Sequence, residues 1–126
     1  MYGKLYHTIR IILGISLFLL GTNYFLDYLP TMGYTEPAKN LMEALIESGY
    51  IMPIVAIYEI VLAVFLLFHR YVPLMVILLA PLTVNAFLYH LFLNPQGLAV
   101  WGIMLIMNIY MIFPHVDKFK PFMTPK

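Results

Sequence analysis

Apolar positions along this chain gather into four long runs, separated by short polar punctuation. The runs cover 9–26, 51–68, 72–93 and 98–113. A helix crosses the roughly 30 Å hydrocarbon core of a bilayer with about 20 mostly apolar residues, so each run reads as a transmembrane span. Glu59 is the only charge in the second run. The third has none, but it holds Pro73, Pro81, Asn85 and His90, and the fourth is short and uncharged. Runs two and three are joined by His69-Arg70-Tyr71-Val72-Pro73. Runs three and four are joined by Asn94-Pro95-Gln96-Gly97, residues that pre-set or permit turn dihedrals. Short joins force antiparallel neighbours.

The first connection differs, at roughly 25 residues, longer than most loops. It opens with Leu29-Pro30-Thr31-Met32-Gly33. Thr35-Glu36-Pro37 then reads as a helix start with proline in the first turn. Ala38, Leu41, Met42, Leu45 and Ile46 follow at helical spacing, Glu43 and Glu47 lie on the polar side, and Gly49 ends the pattern. Lys39 and Glu43 form an i,i+4 pair. An amphipathic helix over 37–48, lying on the membrane surface, is the expected element; it caps the bundle, covers a pocket as a lid or binds a partner. The expected fold is therefore an all-α integral membrane protein. It forms an antiparallel four-helix transmembrane bundle with a short amphipathic extracytoplasmic helix between spans 1 and 2, in a single domain over 1–126.

Composition narrows the class. The chain is 63% hydrophobic and 10% charged, with mean hydropathy +0.88. Globular domains in water are about 45–50% apolar and about 25% charged, so that class is excluded. Disorder is excluded too, because it needs low hydrophobicity and high charge. A net charge of +1 with cations near the chain ends gives nucleic acid nothing to bind. The absence of cysteine removes disulfides, redox thiols and thiolate metal sites. The first run exceeds a signal peptide in apolar length, and Gly21-Thr22-Asn23-Tyr24 is no small-x-small cleavage site, so the run is expected to be retained. With four spans, Lys4, Arg10, Arg70, Lys118, Lys120 and Lys126 share one side and Lys39 stands alone on the other. The excess of cations predicts a multi-pass inner-membrane protein with both termini cytoplasmic. Tyr24, Tyr28, Tyr50, Tyr89, Phe92 and Trp101 fall near the outer ends of spans. Tyr2, Tyr6, Tyr71, Tyr110 and Phe113 fall near the inner ends, and such rings suit the headgroup level.

Polar residues inside the spans carry the chemistry. An ionisable group at mid-membrane costs about 2.5–3.5 kcal/mol on insertion scales, so it should face the bundle interior and find a partner. At 1.5 Å per residue, Glu59 and Asn85 both lie roughly 12 Å below the outer ends of their spans, and Asn108 roughly 15 Å below. Asn23 and Asp27 lie one turn apart on span 1, nearer the outer surface. One reading is an outward-opening pocket with Glu59, Asn85 and Asn108 as its floor and Asn23, Asp27 and His90 as its mouth. It would bind a quinone headgroup or pass a proton, with Glu59 handling the proton. The other reading is structural: Glu59, held neutral, and the two asparagines hydrogen-bond across helices. Asn85 and His90 are five apart, about 140° around a helix, which counts against a shared cavity.

Other residues have narrower readings. Arg10 starts span 1 and either snorkels, setting topology, or binds an anionic group on the inner side. Pro81 removes a helix hydrogen bond one turn before Asn85 and predicts a kink. Gly14 and Gly21, seven apart, let a neighbouring backbone approach, in the bundle or in a homodimer. Met104, Met107 and Met111 form a packing stripe. No two mid-membrane histidines exist for a bis-histidine haem. His7, His69 and His115 all fall at inner ends, where an interfacial metal site would lack acidic ligands or cysteine, so no metal is expected.

Three segments together resemble a known family. The first carries Arg10, Leu13-Gly14, Phe18 and Gly21-Thr22-Asn23-Tyr24-Phe25. The second carries Ser48-Gly49-Tyr50, Pro53, Tyr58-Glu59, Leu66-Leu67 and Arg70-Tyr71. The third carries Leu79-Ala80-Pro81, Val84-Asn85 and His90-Leu91-Phe92-Leu93-Asn94-Pro95. In this arrangement the chain resembles the DoxX family of small four-span membrane proteins. That family is similar to DoxD, the membrane subunit of a thiosulfate:quinone oxidoreductase. The resemblance implies a quinone-interacting or accessory membrane subunit of an oxidoreductase complex, with Arg10, Glu59, Asn85 and His90 at the family's polar positions. It implies a quinone as cofactor. It also implies a membrane or soluble partner subunit, or a homo-oligomer, because a chain without cysteine holds no thiol chemistry of its own. The alternative class is a non-enzymatic scaffold or assembly subunit of a larger membrane complex.

Overall fold

The computed structural model describes residues 3–30 and 33–125. Tyr2, Thr31, Met32 and Lys126, used above for anchoring, loop and orientation, lie outside the described residues. Among the described residues the chain is all-helical, without strands. Helix α1 spans Lys4–Leu26, α2 Glu36–Glu47, α3 Ile51–Leu67, α4 Val72–Phe92 and α5 Leu98–Ile112, followed by a short α6 at Val116–Phe119. The 3-10 turns Phe113–His115 and Lys120–Met123 flank α6, so the last helical run outlasts the expected limit at 113. Pro114 and Pro121 break it into pieces, since proline removes a backbone donor.

Local chemistry sets the helix ends. Asp27 adopts a left-handed conformation (φ 49°) and its N–H closes on the Asn23 carbonyl at 2.7 Å. The Asn23 side-chain oxygen then accepts from the N–H groups of Tyr28 at 2.9 Å and Leu29 at 2.7 Å, turning the chain out of α1. Thr35 caps α2 by accepting from the Ala38 N–H at 3.3 Å, and its hydroxyl donates to the Leu93 carbonyl, tying α2 to the end of α4. Gly49, at φ +80°, turns the chain between α2 and α3, which meet at 91°.

Helices α1 and α4 and the run Pro95–Met123 are each long and apolar enough to cross a membrane. Helix α3, with 17 residues, meets that test only when taken together with α2 as a bent pair. Helices α1 and α3 form one closely packed antiparallel pair and α4 and α5 another. A Cβ on Gly14 would lie 2.8 Å from Leu67 Cγ, and one on Gly21 would lie 2.9 Å from the Ala56 carbonyl oxygen. The glycine repeat therefore serves the α1–α3 seam within the chain. Leu13, Leu17, Leu62, Leu66, Val76, Leu79, Met104 and Met111 make a thin core between the pairs. Much of the remaining apolar helix surface, Ile12, Ile57, Leu74 and Ile106 among it, is exposed. Such a surface is untenable in water and ordinary against lipid.

Candidate functional site

The first turns of α1 and the last turns of α3 and α5 meet at one end of the bundle, here termed the closed end. The last turns of α1, the first turns of α3 and the whole of α2 form the other, and there they line an open-sided chamber of about 470 Å³. On its α1 wall stand Leu20, Asn23, Tyr24 and Asp27, spaced three and four apart on one helical face. On its α3 wall stand Met52, Val55, Ala56 and Glu59, spaced the same way. Met42 and Ile46 from the apolar face of α2 cover it, and Tyr34 closes the side.

Glu59 is 8% exposed. Its position follows from the glycine seam, since its Cβ lies only 3.2 Å from where a Gly21 Cβ would sit. The close approach presses the carboxyl toward α1, and Oε2 is buried without a hydrogen-bond partner among the described residues. Such an atom costs desolvation without return unless something else meets it. Asn23 spends its oxygen on the turn after α1 and lines the chamber. Two carboxyl groups, an amide and the Tyr34 phenol in an otherwise apolar frame can donate and accept hydrogen bonds. They suit the polar head of a small organic molecule. Among the described residues no cluster of histidine and carboxylate side chains is arranged to hold a metal ion.

The expected floor is divided by the structure. Asn108 is fully buried, but it donates to the Val76 carbonyl at 3.0 Å and accepts from the Thr83 hydroxyl at 2.9 Å. It joins α5 to α4 and is no part of the chamber. Asn85 is exposed in a shallow cleft with Tyr58 and Pro81, on the flank between α3 and α4. It lines a different pocket from Glu59. His90 is also absent from the chamber mouth. Its Nδ1 donates to the Asn94 carbonyl at 3.1 Å and its ring stacks on Trp101 with centroids 6.4 Å apart. Gly97 makes that possible, because a Cβ there would lie 2.3 Å from the imidazole.

Arg10 does not snorkel. It is 7% exposed and donates from Nη1 to the Leu66 carbonyl and, at 3.1 Å, to the Leu67 carbonyl, capping the C-terminus of α3. Its Nη2 lies 3.4 Å from His7 Nδ1. The histidines of the closed end do converge, but around Tyr6. The Tyr6 hydroxyl and His115 Nε2 share a 2.8 Å hydrogen bond, and the His7 and His69 rings meet edge to face at 5.1 Å. Burial of part of the ring, the Arg10 guanidinium and then His7 hold the His69 imidazole below its ordinary pKa of 6.5.

Of the residues singled out from the sequence, the chamber thus brings together Glu59, Asn23 and Asp27, and excludes Asn85, Asn108, His90 and Arg10. It adds Tyr34, Tyr24, Met42 and Ile46. The two α2 residues were visible as an apolar stripe, whereas nothing in the sequence around Tyr34 marked it. Compared with protein-family models, curated proteins and solved structures, the chain matches none.

Proposed function

We propose that this chain is a four-crossing inner-membrane protein whose chamber binds the polar head of a membrane-dissolved ligand of the quinone type. On this reading it serves as a quinone-interacting or accessory subunit of an oxidoreductase complex resembling the DoxX type. Helix α3 is the short fourth crossing, and α2 lies on the outer surface as the roof of the chamber. The cations of the closed end, Lys4, Arg10, Arg70, Lys118 and Lys120, favour a cytoplasmic placement for that end and for both termini.

The observation that carries the reading is the buried Glu59 carboxyl, with one oxygen unpartnered, on the wall of a roofed chamber. A carboxyl group there can donate a hydrogen bond to a quinone carbonyl or accept one from a quinol hydroxyl. The lipid-soluble character of the ligand has its own support. An apolar crevice of about 500 Å³ between α1 and α5, lined by Ile12, Ser16 and Met107 among others, shares Leu20 with the chamber. A tail lying there would need no water.

The test is a titration of the detergent-purified protein with a short-chain ubiquinone, followed by quenching of the Trp101 fluorescence or by calorimetry. Saturable binding is expected, weakened about ten-fold or more by Glu59→Gln and by Asn23→Ala, on the scale of one lost hydrogen bond to a charged or strongly polar group. Wild-type protein that binds no quinone, or variants that bind as well as wild type, would remove this reading. A stoichiometric protein partner retained without any small molecule would replace it with a scaffold role.

A further inference from the structure

At the closed end, a second groove of about 560 Å³ separates the start of α4 from the chain's last helical turns. Pro73, Leu74 and Ile77 form one wall; Phe119, Phe122 and Met123 form the other, and Lys118 is its only charged residue. We infer that this groove is a binding site for one anionic phospholipid, with its phosphate on Lys118 and an acyl chain laid along Leu74 and Ile77.

Three observations point to that occupant. The first is depth. Counting 20 residues from Leu98 at 1.5 Å each gives about 30 Å, the hydrocarbon thickness, and arrives at Lys118. The lysine therefore stands at phosphate level while Ile77, in the second turn of α4, stands below it among the tails. The second is charge. Asp117 neutralises Lys120 through a 2.9 Å ion pair, whereas among the described residues no ion pair engages Lys118, the cation that lines the groove. Lys4 and Arg70 share this end, so the surrounding field is positive and selects an anion. The third is continuity with lipid. Leu74 is 52% exposed, Phe122 85% and Met123 80%, so the groove opens sideways along the flank of α4 onto the bilayer. Exposed aromatic and thioether side chains beside lysine suit the boundary between headgroups and tails. A water-borne partner would instead have to displace lipid from this flank.

The proposal is independent of the Glu59 chamber and is tested on the full chain. Purified protein in mild detergent is titrated with phosphatidylglycerol or phosphatidylcholine of identical chains, and lipid adducts are counted by native mass spectrometry. Phosphatidylglycerol is expected to bind about five-fold more tightly, the scale of one lysine at a lipid surface. Lys118→Gln should abolish that preference, and Ile77→Trp, which fills the groove, should weaken both lipids; Lys39→Gln should change neither. Each variant is compared with wild type by circular dichroism, and Leu74→Trp replaces Ile77→Trp if the latter fails to fold. Equal affinity for the two lipids, or adducts unaffected by Lys118→Gln and by the filling variant, would overturn the assignment. So would displacement of the lipid by millimolar inorganic phosphate, or a dimer that Ile77→Trp disperses, since the first names a free anion and the second another copy of the chain.

Discussion

Asn108 and Glu59 are both buried polar side chains in apolar helices, yet they hold opposite positions in the hydrogen-bond economy of the bundle. Asn108 satisfies the Val76 carbonyl and the Thr83 hydroxyl at once. Truncation to alanine removes both bonds, although the Thr83 hydroxyl keeps the Ala80 carbonyl at 3.2 Å, and hydrogen bonds between membrane helices contribute about 0.5–2 kcal/mol. Asn108→Ala is therefore expected to lower the unfolding free energy in bicelles by about that amount. Glu59 offers an oxygen that no other described residue uses. Glu59→Gln strands no partner, so it should keep wild-type stability to within about 0.5 kcal/mol while losing ligand. If Glu59→Gln destabilises as much as Asn108→Ala, the acid is a structural tie and the chamber reading fails.

Helix α3 shows what a short element needs from its neighbours. Its 17 residues give about 26 Å of rise, less than the hydrocarbon core, so on the four-crossing proposal its ends cannot rely on water alone. At its start Gly49 turns the chain through 91° into α2. At its end Arg10 satisfies two of the carbonyls that every helix terminus leaves open, and places a positive charge on the negative end of the helix dipole. Arg10→Met keeps the aliphatic stem but strands the Leu67 carbonyl and leaves the Leu66 carbonyl with only the His69 N–H at 3.2 Å, so a loss of about 1–3 kcal/mol in unfolding free energy is expected, measured by steric trapping. Arg70→Met, at an exposed residue of the neighbouring turn, should stay within about 0.5 kcal/mol. Equal effects would mean that only net charge at this end matters.

The helices themselves were legible because long apolar runs admit few alternatives, and α2 because its apolar residues recur with helical spacing. The cap made by Arg10 was not, because its acceptors are backbone atoms whose need appears only once α3 ends beside α1. Depth counted along each helix places Glu59, Asn85 and Asn108 in one layer. Depth says nothing about direction around the axis, and there Asn85 departed to the flank and Asn108 to the α4–α5 seam. His90 was misplaced for a related reason, since the space it occupies is created by Gly97, a residue readable from sequence only as part of a turn.

Across the whole molecule the two ends are built differently: one holds an open-sided chamber beneath α2, and the other is tied together by side chains. At the closed end Tyr6 and His7 from α1, His69 from the α3–α4 turn and His115 from the turn after α5 interlock, with Arg10 beneath and Lys118 nearby. Helix α1 and the turns that follow α3 and α5 meet there, so protonation bears on the assembly of the bundle. The sign follows from His69, whose folded-state pKa lies below the ordinary 6.5 because of partial burial, Arg10 and His7. The folded chain then holds the proton less tightly than the unfolded chain, and stability rises with pH wherever the unfolded state binds more protons. The His69 contribution is thus fully present above about pH 6.5 and is lost as pH falls below it, toward the depressed value. Thermal unfolding in detergent should therefore show a lower midpoint at pH 5.5 than at pH 7.5. His69→Asn tests the assignment with little backbone cost, because His69 sits at φ 56° and asparagine tolerates that left-handed region. The variant should show a smaller difference between the two pH values than wild type. A difference of the same size in both would move the pH sensitivity to other groups, and a wild-type midpoint higher at pH 5.5 would reverse the sign and remove the electrostatic account of the closed end.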